Sequence, residues 1–323
     1  MKIKINDKEV EVLEGETLIE VARRMGHVVP SLCYSKNAKH KSSCMVCAVK
    51  NCANGQIIPS CTTMPTEGME IDVESEEVNE IRRMSLELLL SDHRADCEAP
   101  CTTVCPQGLD IERMLAFYDA GKYQEAYSLI AGVFALPEIG CTNCKAPCEK
   151  ACRRGTVDKA VEIRAIIKEI AAKNLTILPG YDAASQKMDK VSFRSRLGRF
   201  TPAEKELLKV NTNNPSRCLH CACNERHECK LRKDATLLGI SRPSFETSSK
   251  LPFVKIHING DIWFEPAKCV RCGLCVYNSK DGFTFRNRGF GMQVIIPDES
   301  KSHITEEIAH LCPTGALYVK TLK

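Results

Sequence analysis

Little in this sequence offers a place for substrate chemistry. No Gly-x-Gly-x-x-Gly follows an expected strand, and there is no phosphate-binding loop, no haem-attachment Cys-x2-Cys-His and no Ser-His-Asp arrangement. Residues Met1 to Val12 alternate charged and β-branched side chains, with no apolar run long enough for a signal peptide's core or a membrane span. A net charge of only +4 is too small to argue for nucleic acid or a membrane surface as a partner, and neither nucleic acid nor a membrane span is expected. What the chain has in excess is thiol, with 20 cysteines in 323 residues. So many cysteines mean disulfides or metal, and a chain without a leader is expected in the reducing cytoplasm, where thiolates are free to hold metal. The length allows two or three compact domains, and 43% hydrophobic residues suit a globular core.

The first 75 residues form one expected unit. Ile3, Ile5, Val10 and Val12 alternate around Asn6-Asp7, the pattern of a β-hairpin. Thr17 and Glu20 predict a capping box, with Leu18, Val21, Ala22 and Met25 on one helical face. Then come Cys33, Cys44, Cys47 and Cys61, spaced Cys-x10-Cys-x2-Cys-x13-Cys. A structural zinc site is the bland reading of four thiolates. Hairpin, helix and spacing together resemble the β-grasp 2Fe-2S ferredoxin domain that opens the large iron-sulfur subunit of complex I, iron-only hydrogenases and NAD-linked formate dehydrogenases. Three loop cysteines and one returning after a later strand fit a flat two-iron cluster. Cys52 falls outside that pattern and is expected to be a buried small hydrophobe.

Residues 76–185 form the expected second domain. Glu76 to Leu90 reads as an amphipathic helix with Val78, Ile81, Met84 and Leu88 on its inner face, leading to His93. His93-x3-Cys97 resembles the complex I family, but Cys101 and Cys105 follow at spacings that family lacks. Pro100-Cys101-x3-Cys105-Pro106, two short helices with Gly121 and Ala126, Pro137, Gly140 and Cys144-x3-Cys148-x3-Cys152 resemble a different domain. It is the helical two-cluster domain of the glutamate synthase small subunit and of dihydropyrimidine dehydrogenases. That resemblance implies interleaved ligands: His93, Cys97, Cys101 and Cys152 for one 4Fe-4S cluster, and Cys105, Cys144 and Cys148 for another. The family's fourth ligand to the second cluster, a Gln or Glu, is Ile167 here, so Cys141 is expected to replace it.

Residues 186–250 read as a basic linker or docking segment, with Arg194, Arg196 and Arg199, followed by Cys218, Cys221, Cys223 and Cys229. Four cysteines within twelve residues are expected to share one metal, and the spacing leaves both 4Fe-4S and zinc open, with His220 and His227 able to join a zinc site. In the last domain, 251–323, a strand pair around Asn259-Gly260 precedes Cys269-x2-Cys272-x2-Cys275. A bacterial two-cluster ferredoxin would place a fourth cysteine where Ser279 stands, while Cys312-Pro313 matches the end of the second motif. In such a ferredoxin the fourth cysteine of each motif serves the opposite cluster, so loss of one cluster frees position 279 and spares Cys312. Cys269, Cys272, Cys275 and Cys312 are therefore expected to hold one 4Fe-4S cluster.

The expected fold class is α+β and multidomain: a β-grasp 2Fe-2S domain, a helical two-cluster domain and a ferredoxin-like 4Fe-4S domain. The expected cofactors are one 2Fe-2S cluster and three to four 4Fe-4S clusters, with zinc open at Cys218 to Cys229. So many centres in one chain imply an electron relay, and the resemblances imply that it works within an NAD(P)H-linked oxidoreductase complex. The resemblances imply a flavoprotein that oxidises NADH on one side and a catalytic subunit or a ferredoxin on the other. An accessory role in an electron-bifurcating hydrogenase or transhydrogenase, and an iron-sulfur sensor or scaffold, are the competing readings.

Overall fold

A computed structural model describes residues 1–173, 175–179, 192–242, 244 and 251–320. The expected linker residues 186–191 therefore lie outside the described residues. Two compact units emerge: Met1–Arg94 and Glu228–Lys320, together with Phe193, form one, and the other comprises described residues from Ala95 onward with Arg194–His227.

The first unit begins with β1 (Lys2–Ile5) and β2 (Lys8–Glu11), paired antiparallel. Asn6 and Asp7 turn between them at φ 47° and 65°, a left-handed geometry that short polar side chains tolerate. Ile3 and Ile5 are buried while the intervening lysines are exposed. Helix α1 (Leu18–Arg24) opens on the Thr17–Glu20 capping box and buries Leu18, Ile19, Val21 and Ala22. Strands β3 (Ala48–Asn51), β4 (Ile57–Pro59) and β5 (Glu70–Asp72) complete a five-stranded sheet in the order β2-β1-β5-β3-β4, with β1 and β5 parallel.

Helix α2 (Glu76–Leu90) forms where periodicity places it but turns a different face inward. Val78, Arg82, Leu86 and Leu90 are buried, whereas Met84 and Leu88 are 64% and 57% exposed. The leucine-rich end supplies two apolar stripes, and the buried one carries Arg82, whose Nε donates to the Ala48 carbonyl of β3 at 2.9 Å.

In the second unit, α3 (Pro100–Thr103), α4 (Ile111–Asp119), α5 (Tyr123–Ala131), α6 (Pro147–Lys150), α7 (Ile163–Ala171) and α8 (Pro202–Val210) follow. Gly121, at φ 71°, makes the turn between α4 and α5. The stretch read as a linker is folded where described: α8 has its own capping box from Thr201 and Glu204, and Leu197 and Phe200 are buried. Apolar residues between the arginines provide the anchors that its basic composition masks.

The first unit resumes with α9 (Lys230–Leu237), β6 (Ile256–Asn259), β7 (Ile262–Phe264), α10 (Leu274–Asn278), β8 (Thr284–Arg286), β9 (Gln293–Ile295), α11 (Glu306–His310) and β10 (Leu317–Val319). A three-stranded sheet in the order β10-β7-β6 and a β8–β9 hairpin surround a core including Ile262, Phe264, Phe283 and Leu317, against which Cys269, Cys275 and Cys312 pack.

Candidate metal centres

Cys33, Cys44, Cys47 and Cys61 converge in the first unit, all buried. Thiol hydrogen bonds from Cys44 and then Cys61 draw the Cys33 thiol well below its ordinary value. Cys61 also donates to Cys47, the main cause of that thiol's fall to about 6. The donors move the opposite way: Cys44 and Cys61 are pushed up, chiefly by their bonds to Cys33. Four thiols in such mutual contact cannot all ionise without a cation, and a metal centre would supply one. The loop between Cys33 and Cys44 is pinned by the His40 ring, which spans the Ala38 and Cys61 carbonyls at 3.2 and 3.1 Å. Cys52 lies outside this set and is exposed, contrary to expectation. It sits just past β3, where the hairpin turns outward.

Cys269, Cys272, Cys275 and Cys312 form a second set in the same unit. Burial pushes the Cys269 thiol up to about 12 and also raises Cys272 and Cys275 well above the ordinary value, each sensing the neighbouring thiols. Backbone N–H groups face the sulfurs: Arg271 N–H to Cys269 Sγ and Leu317 N–H to Cys312 Sγ, both at 3.4 Å. Arg271 holds its N–H there by adopting φ 58°, a left-handed conformation that an arginine rarely takes, and Gly273 continues the turn at φ 81°. Cys272 also senses Cys33, so the two thiol sets of this unit are neighbours. Ser279 spends its hydroxyl on the chain itself, donating to the Cys275 carbonyl at 2.7 Å and accepting from Phe283 N–H at 2.9 Å.

His93 is buried in the first unit, and its Nδ1 donates to the Lys268 carbonyl at 2.8 Å. Burial pushes its pKa down to about 4. The ring is therefore neutral at pH 7, with Nε2 left as a lone pair, the state a metal-ligating imidazole requires. The same carbonyl accepts from Thr314 Oγ1 at 3.1 Å, and the Lys268 ammonium forms a fully buried ion pair with Glu265 at 2.9 Å.

In the second unit, Cys105, Cys141, Cys144 and Cys148 line one cavity of about 310 Å³, together with Phe134 and Ile167. Burial raises Cys141, which senses Cys144 and Cys105, and pushes Cys148 up to about 11. Gly140 is required by close approach, since a Cβ there would meet the Phe134 ring at 2.5 Å.

Cys97, Cys101, Cys152, Cys218, Cys221 and Cys223 also lie in this unit. Burial raises Cys101 well above its ordinary value, with Cys218 and Cys152 as the next causes, so these three thiols are neighbours. Asp96 and Ala222 form an isolated parallel bridge, and Cys223 N–H donates to the Cys97 carbonyl at 3.3 Å. Ser195 N–H faces Cys97 Sγ at 3.2 Å, and His220 N–H faces Cys218 Sγ at 3.3 Å. His220 adopts φ 47°, so Cys218-x2-Cys221 repeats the local geometry of Cys269-x2-Cys272. Both His220 ring nitrogens are engaged, Nδ1 with Glu112 and Nε2 with Asp119, at 3.0 Å each. Burial pulls the His220 pKa down, but the Cys218 sulfur and the two carboxylates hold it well above the ordinary value.

The two remaining sequence groupings are divided. Cys229 belongs to the first unit, its Sγ 3.9 Å from the Pro313 carbonyl, whereas Cys218, Cys221 and Cys223 belong to the second. His93 likewise belongs to the first unit, and Cys97, Cys101 and Cys152 to the second. Twelve residues of sequence can cross a unit boundary, and α9 begins immediately after Cys229. Among the described residues, no three His, Cys, Asp or Glu side chains converge closely enough for a single metal ion.

Comparison with known proteins matches residues 1–76 to the 2Fe-2S iron-sulfur cluster binding domain. Residues 75–176 match domain II of dihydropyrimidine dehydrogenase, a 4Fe-4S cluster domain. Residues 1–176 thus match two iron-sulfur domains. Curated relatives include HndD of Solidesulfovibrio fructosivorans, a component of an NADP-reducing hydrogenase, 39% identical over 103 residues, which are 30% of this chain and 17% of that protein. The gamma component of the NAD-reducing hydrogenase HoxS of Cupriavidus necator is 32% identical over 97 residues, 30% of this chain and 41% of that one. One component of an NADH-quinone oxidoreductase of Rhizobium meliloti is 26% identical over 179 residues, 50% of this chain and 20% of that one. The chain thus spans less than half the length of these relatives. A crystal structure of an NAD+-reducing NiFe-hydrogenase in the H2-reduced state shares the fold with a TM-score of 0.52 and 16% identity, over 99% of this chain and 87% of that one. Among the described residues, no helix is long and apolar enough to cross a membrane.

Proposed function

We propose that the chain is an electron-transfer subunit of an NAD(P)H-linked oxidoreductase complex. The observation that carries this reading is the gathering of buried and half-buried thiols into separate sets, with backbone N–H groups aimed at Cys97, Cys218, Cys269 and Cys312. Such bonds stabilise thiolate and tune the potential of a bound cluster. Cys33, Cys44, Cys47 and Cys61 would hold the 2Fe-2S cluster, and the mixed sheet with α1 supports a β-grasp domain there. Cys269, Cys272, Cys275 and Cys312 would hold one 4Fe-4S cluster, and Cys105, Cys141, Cys144 and Cys148 another. Cys101, Cys152 and Cys218 would contribute to a further centre in the second unit, with Cys97 or Cys221 completing it. Each cluster, when bound, takes up and releases one electron. The protein's part is to exclude water, hold the sulfurs and set the potentials through N–H bonds and burial.

The relatives are named as subunits of NADH-, NAD- or NADP-linked enzymes, which supports partner subunits; the partners inferred for this chain are a flavoprotein that oxidises NADH or NADPH and a catalytic subunit or ferredoxin. The direct experiment is anaerobic reduction with NADH plus the co-purifying flavoprotein, followed by electron spin resonance. Rapid reduction with separable 2Fe-2S and 4Fe-4S signals is expected. Clusters that NADH and flavoprotein leave oxidised would refute the assignment.

A further inference from the structure

We infer that the loop between Cys33 and Cys44 is a docking face for an acidic electron-carrier protein, one whose carboxylates surround its own redox centre. That role rests on Cys33, Cys44, Cys47 and Cys61 forming a redox centre, and it adds the chemistry of the partner that reaches it. Lys36, Lys39 and Lys41 are all exposed on this loop, and Lys280 is exposed just beyond α10.

Elsewhere in the same unit several lysines are matched with acids: Lys4 with Glu70 and Lys50 with Glu77 at 2.6 Å, and Lys233 with Glu228 at 2.9 Å. Among the described residues the three loop lysines have no such ion pair. Two carboxylates that sense Lys36 are already engaged, Glu16 by Arg24 and Glu20 by Thr17 and Tyr34. The acid closest in sequence to Lys280 is the exposed Asp281. A run of lysines left to solvate itself would need no anchoring, yet this one is clamped. Asn278 donates through Nδ2 to the Lys39 carbonyl at 2.7 Å and accepts the Lys39 N–H at 2.9 Å. Lys41 Nζ lies 5.2 Å over the Tyr277 ring, and the His40 ring meets Tyr34 edge-on at 4.9 Å.

The clamp holds three lysines on the loop that joins Cys33 to Cys44 and ties it to α10, the helix bearing Cys275 of the other thiol set. A face of about four charges beside redox thiols suits a small, transient protein contact; a nucleic acid typically engages about 6–10 basic contacts. Electrostatic steering by such a face raises association rates about 10-fold to 1,000-fold and fades with salt.

The test uses the full chain, reduced anaerobically, with three oxidants: ferricyanide, cobalt(III) hexaammine and an acidic plant-type ferredoxin. One electron leaves the reduced centre in each case, converting ferricyanide to ferrocyanide, cobalt(III) to cobalt(II) or the ferredoxin to its reduced form, and the 2Fe-2S spin signal and visible absorbance report the rate. With ferricyanide and ferredoxin the rate is expected to fall at least about 10-fold from low to high salt, and with the cobalt cation to rise. The K36E/K39E/K41E variant is expected to reverse both salt slopes while keeping its spin signal, and the neutral K36Q/K39Q/K41Q variant to flatten them, which covers misfolding of the reversed one. Rates blind to salt and to both variants would overturn the docking face alone. A Cys33–Cys61 set that takes up no electron would overturn the relay reading with it.

Discussion

The buried ion pair between Glu265 and Lys268 gives a quantitative handle on the ligand scaffold. Each side chain is about 1% exposed, at 2.9 Å, and Lys268 precedes Cys269 while its carbonyl holds His93 and Thr314. Replacing Lys268 with Met leaves a carboxylate buried without its counter-charge, at a cost of about 3–5 kcal/mol. That is a large part of the ~5–15 kcal/mol margin of a typical domain. Removing both charges in E265L/K268M restores an apolar interior and is expected to lie within about 1 kcal/mol of the parent or to be more stable. Hydrogen exchange reads the effect locally, because Lys268 N–H donates to the Glu265 carbonyl and Cys269 N–H to the Pro266 carbonyl, each at 3.0 Å. These amides should exchange at least ~100-fold faster in K268M and near the parental rate in the double variant. Equal acceleration in the single and double variants, or none in the single, would refute the reasoning.

Other consequences concern ligands and pH. Cys141→Ala should remove one cluster's worth of iron, and adding Ile167→Gln, in the wall of the same cavity, should restore part of it, whereas Cys52→Ser should leave iron unchanged. Iron assay of the three variants decides this. His93 is held neutral with a pKa of about 4, below the ordinary ~6.5, so its contribution is complete above pH 6.5 and is lost as pH falls toward 4. The stability difference between parent and His93→Asn, measured by denaturant titration, should change by about 3 kcal/mol across that window. Asp234 moves the opposite way: burial raises it to about 6, so its contribution is full below pH ~4 and is lost as pH rises through 6. Asp234→Asn should therefore gain about 3 kcal/mol at pH 7.5 in the same assay, with no gain near pH 3.5.

Short-range features were the legible ones. The Asn6-Asp7 turn, the Thr17–Glu20 box and the thiols of Cys269-x2-Cys272-x2-Cys275 depend on neighbours within a few residues, which spacing records directly. Cys61 and Cys312 were reachable only because family patterns link them to distant loops. The inner face of α2 was misread because Arg82, a charged residue, is buried through its bond to Ala48, which hydrophobic periodicity cannot register. Cys52 carries no spacing signal of its own, so burial was assigned from residue type alone. The proximity of Cys218 to Cys101 and Cys152 depends on the pairing of Asp96 with Ala222, a contact between distant parts of the chain. The left-handed turns at His220 and Arg271 were hidden for another reason: neither residue type favours positive φ, and only the sulfur facing the N–H makes sense of the strain.

The central claim is that these thiols hold inorganic iron and sulfide. Protein purified without oxygen should be brown and contain about 14–18 iron atoms per chain, matched by acid-labile sulfide, for one 2Fe-2S and three to four 4Fe-4S clusters. A colourless chain with zinc in place of labile sulfide would contradict it.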